Sequence, residues 1–246
     1  MTKTTPRLHV AAALAAGSEV PLAPEQAHYL LNVLRLPAGA AVSAFNGGDG
    51  AWDCVLVTTG KKKAALSVIR QSQPSSPPPD IDYLFAPIKH ARLDYMVQKA
   101  TELGARRLRP VITRRTIAER VNLERMASNA VEAAEQCNLV FVPEVMEPVK
   151  LEALISGWDG ARRLVFCDEG KTSENPLRTL RQVRLPAAVL VGPEGGFAPE
   201  ERRLLFAQAF VTPLSLGPRI LRADTAAIVA LALLQAVAGD WPGENL

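Results

Sequence analysis

Hydrophobic and polar residues alternate in two different ways along the chain, and the pattern changes near residue 75. In the first part, short apolar runs are separated by turn residues, which is typical of β-strands. Such runs lie at 42–45, 52–57 and 64–69. Asn46-Gly47, between the first two runs, predicts a turn that tolerates positive φ. Several short strands within residues 1–72 predict a small β-barrel.

One segment of this first part has helical periodicity. Between residues 24 and 35, apolar residues recur every three or four positions and predict one amphipathic helix. Its apolar stripe consists of Ala27, Leu30, Leu31 and Leu34. A piece of this size is small for a substrate pocket but suits an RNA-docking module.

The second part alternates between buried strands and helices. Apolar runs typical of strands lie at 81–86, 108–112, 164–167, 187–191 and 214–216. Helical spacing predicts helices at 93–104, 123–137 and 224–238, and another that begins at Pro199. This alternation predicts an α/β domain with a parallel sheet. The last helix is apolar on nearly every side from 226 to 234, which predicts burial all round, either within the monomer or against a second subunit.

Residues 71–80 separate the two parts. Four prolines and three serines in these ten residues exclude a helix or a central strand and predict an extended, stiff linker. The sequence therefore predicts a β-barrel domain at 1–72, a linker at 73–80 and an α/β domain at 81–246.

Composition is that of a globular protein, with 48% hydrophobic and 22% charged residues. The longest apolar run is about half as long as a membrane span requires, and no signal-peptide pattern is present, so we expect a cytoplasmic protein. Cys54, Cys137 and Cys167 are widely separated, which fits reduced thiols. Because no CxxC pair exists and no histidine lies near a cysteine, we expect no metal site.

Positive charge is unevenly distributed in this chain, whose net charge is +3. Residues 1–72 contain seven basic and four acidic residues, and residues 106–125 contain seven arginines and two acids. This clustering indicates a polyanionic partner such as RNA, or else an ordinary solvated surface, and charge alone leaves both interpretations open.

Two glycine-proline loops near the C-terminus carry the clearest chemistry. Residues 190–197 read Leu-Val-Gly-Pro-Glu-Gly-Gly-Phe, and residues 216–226 read Leu-Gly-Pro-Arg-Ile-Leu-Arg-Ala-Asp-Thr-Ala. Each follows an apolar run and precedes a helical pattern, so at neighbouring strand ends they would form one pocket lined by backbone. A single such loop would indicate only a tight turn, but two in series with charged residues favour a binding site.

The residues of these loops argue against a phosphate-binding site. Glu194 stands where a GxGxxG motif needs glycine, and Val165 stands where a P-loop ending at Gly170-Lys171-Thr172 needs its first glycine. The Glu194 carboxylate would repel a pyrophosphate. It suits a cofactor with a positive centre and an adenine, such as S-adenosylmethionine.

At these loops the chain resembles the RsmE-type 16S ribosomal RNA (uracil-N3)-methyltransferases of the SPOUT superfamily, because both loops are similar to that family's cofactor loops. Residues 28–35 and 45–47 are similar to its PUA-like domain. Residues 92–104 are similar to the first helix of its methyltransferase domain, and 132–137 are similar to a further block. The resemblance covers nearly the whole chain.

The resemblance implies a small PUA-like β-barrel followed by a SPOUT methyltransferase domain with a deep trefoil knot. It further implies a homodimer through that domain, S-adenosylmethionine as cofactor, and methylation of N3 of a uridine in the 16S rRNA of the 30S subunit. The knot follows from the resemblance alone, because the rule against threaded connections favours an ordinary doubly wound sheet.

Within this interpretation, Arg222 binds uracil or phosphate and stabilises the developing negative charge. Asp224 is a general base or a helix cap, and Glu194 either faces the sulfonium or holds its own loop. The cofactor-binding residues are then Leu190, Gly192, Pro193, Glu194, Gly195, Gly196, Leu216, Gly217, Ile220 and Leu221. The expected RNA contacts are Arg35, Lys61, Lys62, Lys63, Arg114 and Arg115.

The chain departs from the family pattern at two places. The block at 132–137 is commonly followed by Gly-Arg, whereas this chain has Asn138-Leu139, and the last loop has Ala223-Asp224 where a Thr-Glu pair is more usual. Two other functions stay open. One is a SPOUT 2′-O-ribose methyltransferase, whose last loop usually contains an asparagine, and the other is a non-catalytic RNA-binding assembly factor.

Overall fold

The protein is described by a computed structural model that covers residues 5–60, 63–117, 120–170 and 175–241. These residues form two compact units. The first unit comprises the described residues of Met1–Pro77 together with Ala134–Val142, and the second comprises those of Pro78–Ala133 and Pro143–Leu246. The division after Pro77 falls inside the segment predicted to be a linker.

The first unit is built around one five-stranded sheet. Its elements are β1 (Arg7–His9), β2 (Glu19–Pro21), α1 (Pro24–His28), β3 (Ala41–Asn46), β4 (Gly50–Gly60) and β5 (Lys63–Gln73). The strand order is β1-β3-β4-β5-β2, with β1 parallel to β3 and the other neighbours antiparallel. Side chains from all five strands and α1 meet in one core, so the sheet curls around that core.

The predicted helix of the first unit forms, but not as one regular α-helix. After α1 ends, the chain continues as a π-helical turn (Tyr29–Val33), and Arg35 then adopts a positive φ of 52°. The predicted apolar stripe is confirmed. Ala27 and Leu30 are buried, and Leu31 and Leu34 pack against the same core.

The predicted turn after Asn46 also forms, with a different residue at positive φ. Asn46 Oδ1 accepts the backbone N–H groups of Gly48 at 3.0 Å and Asp49 at 2.6 Å, so the asparagine side chain closes the turn. Gly50 has the positive φ, 78°, rather than the glycine that directly follows Asn46. β5 ends at Gln73, the first residue of the linker predicted at 73–80, because Gln73 still pairs with Ala51 of β4.

The second unit is an α/β layered structure. Its strands are β6 (Ile81–Phe85), β7 (Arg107–Ile112), β8 (Glu144–Val145), β9 (Val149–Lys150), β10 (Arg163–Cys167), β11 (Ala187–Val191) and β12 (Val211–Leu214). Its helices are α2 (His90–Glu102), α3 (Leu123–Gln136), α4 (Leu151–Ser156), α5 (Pro176–Leu180), α6 (Pro199–Phe206) and α7 (Ala223–Ala238). The order is β12-β10-β11-β6-β7-β8, with β9 also paired to β7, and every pairing is parallel. The predicted parallel α/β sheet is confirmed.

Several elements begin or end at other residues than the sequence predicts, and the last strand and the end of α3 are examples. The last strand ends at Leu214, so Leu216 lies in the following loop. Cys137 lies beyond the end of α3 and is exposed, so it does not belong to the buried stripe that contains Met126 and Ala130. The sequence analysis missed β8, β9, α4 and α5, because elements of two to six residues are too short to show periodicity.

One face of the second unit's sheet packs against α4 and α6. Leu84, Phe166 and Leu190 of the sheet share a core there with Leu154 and Leu205. The helix α7 packs against α2, α5 and β11. Because successive strand residues point to opposite faces, Tyr83 points away from the α4 and α6 core.

The last helix is not buried all round within this chain. Ala227, Ala230, Leu231 and Leu234 are buried, whereas a second row of apolar residues is only half-buried. That row contains Ile228, Val229, Ala232 and Leu233. Among the described residues, no helix has both the length and the apolar character that crossing a membrane requires.

The amino-terminal edge of the same sheet carries an arginine–aspartate network. Asp82 is fully buried and accepts hydrogen bonds from Arg107 Nε at 2.6 Å and Arg109 Nη1 at 3.2 Å. Asp80 accepts two hydrogen bonds from Arg162 Nη2, each 2.9 Å long. A cavity of about 220 Å³ lies beside these arginines, whose charges are already paired with the two aspartates. The network therefore fastens the starts of β6, β7 and β10.

Candidate active site

Loops from four parallel strands emerge at the carboxyl edge of the second unit's sheet. They follow β7, β10, β11 and β12, and their described residues are 113–117, 168–170, 192–198 and 215–222. In the sheet, β10 lies between β11 and β12. The expectation that the two glycine-proline loops follow neighbouring strands is therefore wrong, since strand β10 lies between the two strands that they follow. This edge is where open parallel sheets bind ligands.

The first glycine loop is a tight turn closed by its own residues. The N–H of Gly196, which has a positive φ of 66°, donates to Pro193 O at 2.9 Å. A Cβ atom on Gly192 would lie 2.5 Å from the Phe197 ring, so only glycine leaves room for that ring. Phe197 in turn packs edge-on against Phe166, with ring centroids 5.0 Å apart.

The loop after β10 contributes two acidic residues that the sequence analysis missed. Glu169 lies against the first glycine loop, because a Cβ atom on Gly196 would be 2.5 Å from its Oε1 atom. Asp168 is buried and accepts hydrogen bonds from Arg202 Nε at 3.1 Å and Nη2 at 2.8 Å. The signal was two acidic residues directly after the apolar run 164–167.

Two arginines contact the first glycine loop. Arg92 Nη1 lies 3.9 Å from Glu194 Oε1, and the two side chains are 42% and 41% exposed. Arg115 Nη1 donates a hydrogen bond of 2.6 Å to the carbonyl oxygen of Gly195. The charge of Glu194 therefore faces a cation of its own chain, which the sequence analysis did not predict.

The second glycine loop is more exposed than the first. Leu216 and Leu221 are half-buried, and Gly217 has a positive φ of 106°. Ile220 is 84% exposed, so packing within the chain forms no apolar wall at this residue. Whether these residues hold a cofactor stays a prediction.

The helix α7 begins at Ala223, one residue before the predicted start, so the N-cap position is occupied by Arg222 and not by Asp224. Arg222 is exposed and occupies the N-cap position, with φ −65° and ψ 155°. Asp224 lies inside the first helical turn, so the option that it precedes the helix as its cap is wrong. Its Oδ1 atom accepts the N–H of Thr225 at 2.8 Å, which satisfies one first-turn donor from within the helix.

Leu190 belongs to the core and not to the surface of the loop. It is fully buried with Leu84 and Phe166 on the face that α4 and α6 cover. Any contact of Leu190 with a ligand would therefore involve its backbone.

The expected RNA contacts in the first unit are exposed where the structure describes them. Arg35 follows the π-helical turn, and Lys63 begins β5. Lys61 and Lys62 lie outside the described residues.

The expected RNA contact Arg114 has acidic neighbours in its own unit. Its Nη1 atom lies 3.5 Å from Glu200 Oε2, and its Nε atom lies 3.8 Å from Glu152 Oε1. These pairs reduce the positive charge that Arg114 could offer to a phosphate.

Tyr83 is a further polar group on the opposite face of the sheet from Leu84. Its ring is fully buried, and its hydroxyl oxygen has no hydrogen-bond partner among the described residues. Burial, together with the nearby Cys167 and Asp224, raises the pKa of Tyr83 well above its ordinary value. Burial also raises the pKa of Cys167 to about 12, so its thiol stays protonated.

Two family models match the chain. The model described as "RNA methyltransferase domain" matches residues 75–235, and the one described as "RNA methyltransferase PUA domain" matches residues 22–69. The chain belongs to this family of RNA methyltransferases. The carboxyl-edge site described above lies within the first match.

Curated relatives narrow the class further. The chain is 34% identical to Ribosomal RNA small subunit methyltransferase E of Synechocystis, over 94% of this chain and 77% of that protein. It is 29% identical to the protein of the same name from Rickettsia conorii, over 92% of this chain and 93% of that protein. The resemblance derived from the sequence is thereby confirmed.

Solved structures with similar folds carry a cofactor. Ribosomal RNA small subunit methyltransferase E from Neisseria gonorrhoeae, bound to S-adenosylmethionine, is 26% identical with a TM-score of 0.87, covering 97% of this chain and 100% of that one. A putative methyltransferase from Legionella pneumophila in complex with the same cofactor is 29% identical with a TM-score of 0.83, covering 96% and 99%. The predicted combination of a PUA-like unit and a SPOUT-type α/β unit is confirmed, while the threading of the knot stays a prediction.

Proposed function

We propose that this protein uses S-adenosylmethionine to methylate N3 of one uridine in the 16S rRNA of the small ribosomal subunit. The observation that carries the proposal is the convergence of the loops after β10, β11 and β12 at one carboxyl edge of a parallel sheet. The chain is similar over 97% of its length to a small-subunit methyltransferase bound to that cofactor.

The residues at this edge fit the proposed cofactor. A Cβ atom on Gly217 would meet nothing within 4 Å, so open space adjoins the second loop. Ile220 offers exposed apolar surface, and Glu194 and Glu169 supply the negative charge that a sulfonium favours. When bound, S-adenosylmethionine supplies an electrophilic methyl group. The residues proposed to hold it are Leu190, Gly192, Pro193, Glu194, Gly195, Gly196, Leu216, Gly217, Ile220 and Leu221.

Arg222 and Asp224 are the proposed catalytic residues. N3 of uridine carries a proton and lies on the pairing edge, so the base must be unpaired before it reaches the loops. In the proposed reaction the N3–H bond breaks and Asp224 accepts the proton. The N3 electron pair would then form the bond to the methyl carbon as the methyl–sulfur bond of the cofactor breaks and the sulfonium leaves as a neutral thioether. Arg222 is exposed and always charged, so it stabilises the negative charge that develops on the uracil oxygens.

Phosphate contacts from basic residues would supply the affinity for RNA. The proposed set is Arg35, Lys61, Lys62, Lys63 and Arg114. The sequence-based set also contained Arg115, which donates a hydrogen bond to Gly195 O. Affinity from such contacts falls steeply as salt rises. Since the proposed substrate is ribosomal RNA, we place the protein in the cytoplasm.

The half-buried row on α7 is the proposed homodimer surface of the methyltransferase unit. An apolar helix face of this kind is costly to leave in water, and a second copy of the chain would cover it. This supports the subunit-contact interpretation of the apolar last helix.

Two alternatives have weaker support. A 2′-O-ribose methyltransferase usually carries an asparagine in its last loop, where this chain has Gly217-Pro218-Arg219. A non-catalytic assembly factor would have no need of an exposed Arg222 beside an acidic residue.

The function can be tested by mass spectrometry of 16S rRNA from cells with and without this gene. We expect one N3-methyluridine to disappear in the deletion strain and to return with the wild-type gene. Arg222→Ala should lower the methylation rate by about 100-fold, since it removes a charge that acts on the transition state. Arg219→Ala, in the same exposed loop, should keep the wild-type rate. Unchanged modification in the deletion strain would refute the proposal.

A further inference from the structure

The turn that follows β7 is closed by hydrogen bonds between Thr113 and Thr116. The N–H of Thr116 donates to Thr113 O at 3.1 Å, and the N–H of Thr113 donates to Thr116 Oγ1 at 2.9 Å. The two hydroxyl oxygens are also 2.9 Å apart, within hydrogen-bonding distance. The two residues between them, Arg114 and Arg115, are therefore presented from a defined backbone.

A buried carboxylate joins this turn to the end of the first glycine loop, where α6 begins. Glu201 is 1% exposed, and its Oε1 atom accepts the N–H of Arg114 at 2.8 Å. Its Oε2 atom accepts the N–H of Ala198 at 2.8 Å. One carboxylate thus links the turn after β7 to the residue that caps α6.

Arg115 makes a second link between the turn after β7 and the first glycine loop, at Gly195, which lies three residues before Ala198. Its Nη1 atom donates to Gly195 O at 2.6 Å, while the Gly196 N–H of the same peptide unit donates to Pro193 O at 2.9 Å. The peptide between Gly195 and Gly196 is therefore held at both of its polar ends. The stem of Arg115 also covers Gly195, because its Cδ and Cβ atoms lie 3.6 and 3.7 Å from where a Cβ on Gly195 would be.

We propose that Arg115 is a positioning residue for the cofactor and not a phosphate contact: it fixes the orientation of the Gly195–Gly196 peptide and so preorganises the first glycine loop for S-adenosylmethionine. This inference rests on the proposed function of that loop. It revises the sequence-based expectation that Arg115 contacts RNA, since one end of its guanidinium, Nη1, is engaged by Gly195 O. A preorganised loop binds more tightly because less ordering remains for the binding step.

The test is calorimetric titration of the full chain with S-adenosylmethionine in the absence of RNA. Arg115→Ala should weaken binding by about 5- to 10-fold, the effect expected from losing one hydrogen bond from a charged donor. Arg115→Lys should recover part of that loss, because an ammonium group can still donate to the carbonyl. Arg203→Ala removes the same charge at an exposed position of α6, and this variant should bind S-adenosylmethionine like wild type. Because Arg115 is exposed, the melting temperature of the Arg115→Ala protein should stay within about 2 °C of the wild-type value.

A second measurement separates this role from an RNA contact. For Arg115→Ala, the KM for S-adenosylmethionine should rise, while the KM for RNA and the salt dependence of RNA binding should stay the same. Unchanged cofactor affinity would overturn the inference. A salt slope reduced by about one would also overturn it, and would identify Arg115 as a phosphate contact instead. If wild-type protein itself fails to bind the cofactor, the proposed function fails first.

Discussion

Asn138 shows how one residue can depart from a family pattern and keep its conformation. It follows α3 with a positive φ of 61°, a conformation that glycine favours and asparagine tolerates better than most residues. The glycine expected at this position is therefore replaced without backbone strain of the kind a β-branched residue would cause. Beside it, Leu139 O accepts a hydrogen bond of 2.7 Å from Arg7 Nη2 of β1.

Tyr83 supports a prediction at the same scale. Because its buried hydroxyl has no partner among the described residues, Tyr83→Phe removes a desolvated polar group and should leave the free energy of unfolding equal or higher. Thr101→Val is the comparison, since that buried hydroxyl donates to Val97 O at 2.8 Å, and its loss should cost about 1 kcal/mol. Urea unfolding measures both, and a Tyr83→Phe protein less stable than Thr101→Val would contradict the assignment.

At the scale of elements, two helices of this chain are closed at their start by a side chain of their own first turn and not by the residue at the N-cap position. Two helices begin with proline in the first turn after an alanine at the N-cap position, and alanine has no side chain to accept a backbone N–H. In α6 the acceptor is Glu201, three residues later, which reaches back to Ala198. The sequence predicted the start of α6 from Pro199 and the acids, and this contact explains why the start is stable.

Glu201→Gln should therefore destabilise the protein by about 1–3 kcal/mol. The carboxylate accepts one N–H on each oxygen, whereas an amide offers only one acceptor and turns its NH₂ group toward a second donor. Chemical denaturation of the variant measures the loss. Glu200→Gln, one residue earlier and exposed, should unfold at the wild-type midpoint. Equal midpoints for all three proteins would show that the buried carboxylate contributes nothing.

At the scale of the whole molecule, the sheet of the second unit is anchored differently at its two edges. The amino-terminal edge is fixed by paired charges around Asp80 and Asp82, whereas the carboxyl edge presents loops rich in glycine and exposed charge. A sheet whose strand starts are fixed by ion pairs and whose strand ends carry loops suits a ligand site, because the strands position the loops.

The charged edge predicts how stability depends on pH. Burial alone would raise the pKa of Asp80, but the hydrogen bonds and charge of Arg162, with the charges of Arg106 and Arg107, outweigh burial and lower it. The pKa of Asp80 in the folded protein therefore lies below its unfolded value of 3.8. The contribution of ionised Asp80 to the free energy of unfolding is complete above pH 3.8 and is lost as the pH falls through the folded pKa.

Asp80→Asn should accordingly lower the stability of the protein at pH 7. As the pH falls below about 4, this variant should lose less additional stability than wild type. Thermal unfolding between about pH 2.5 and 7 measures this. Glu147→Gln, an exposed acid of the same unit, should follow the wild-type curve. Parallel curves for wild type and Asp80→Asn would mean that another group governs the acid transition.

Local patterns in the sequence predicted the longer strands and helices and the two glycine-proline loops, because periodicity and backbone preference act over a few residues. They misplaced the helix start at Asp224 and the end of the last strand, where periodicity is weak. Only the tertiary structure decided which loops are neighbours. It inserted β10 between β11 and β12, and it brought Arg115 to Gly195 across 80 residues of chain. Such contacts depend on how parallel strands are ordered, which no short stretch of sequence encodes.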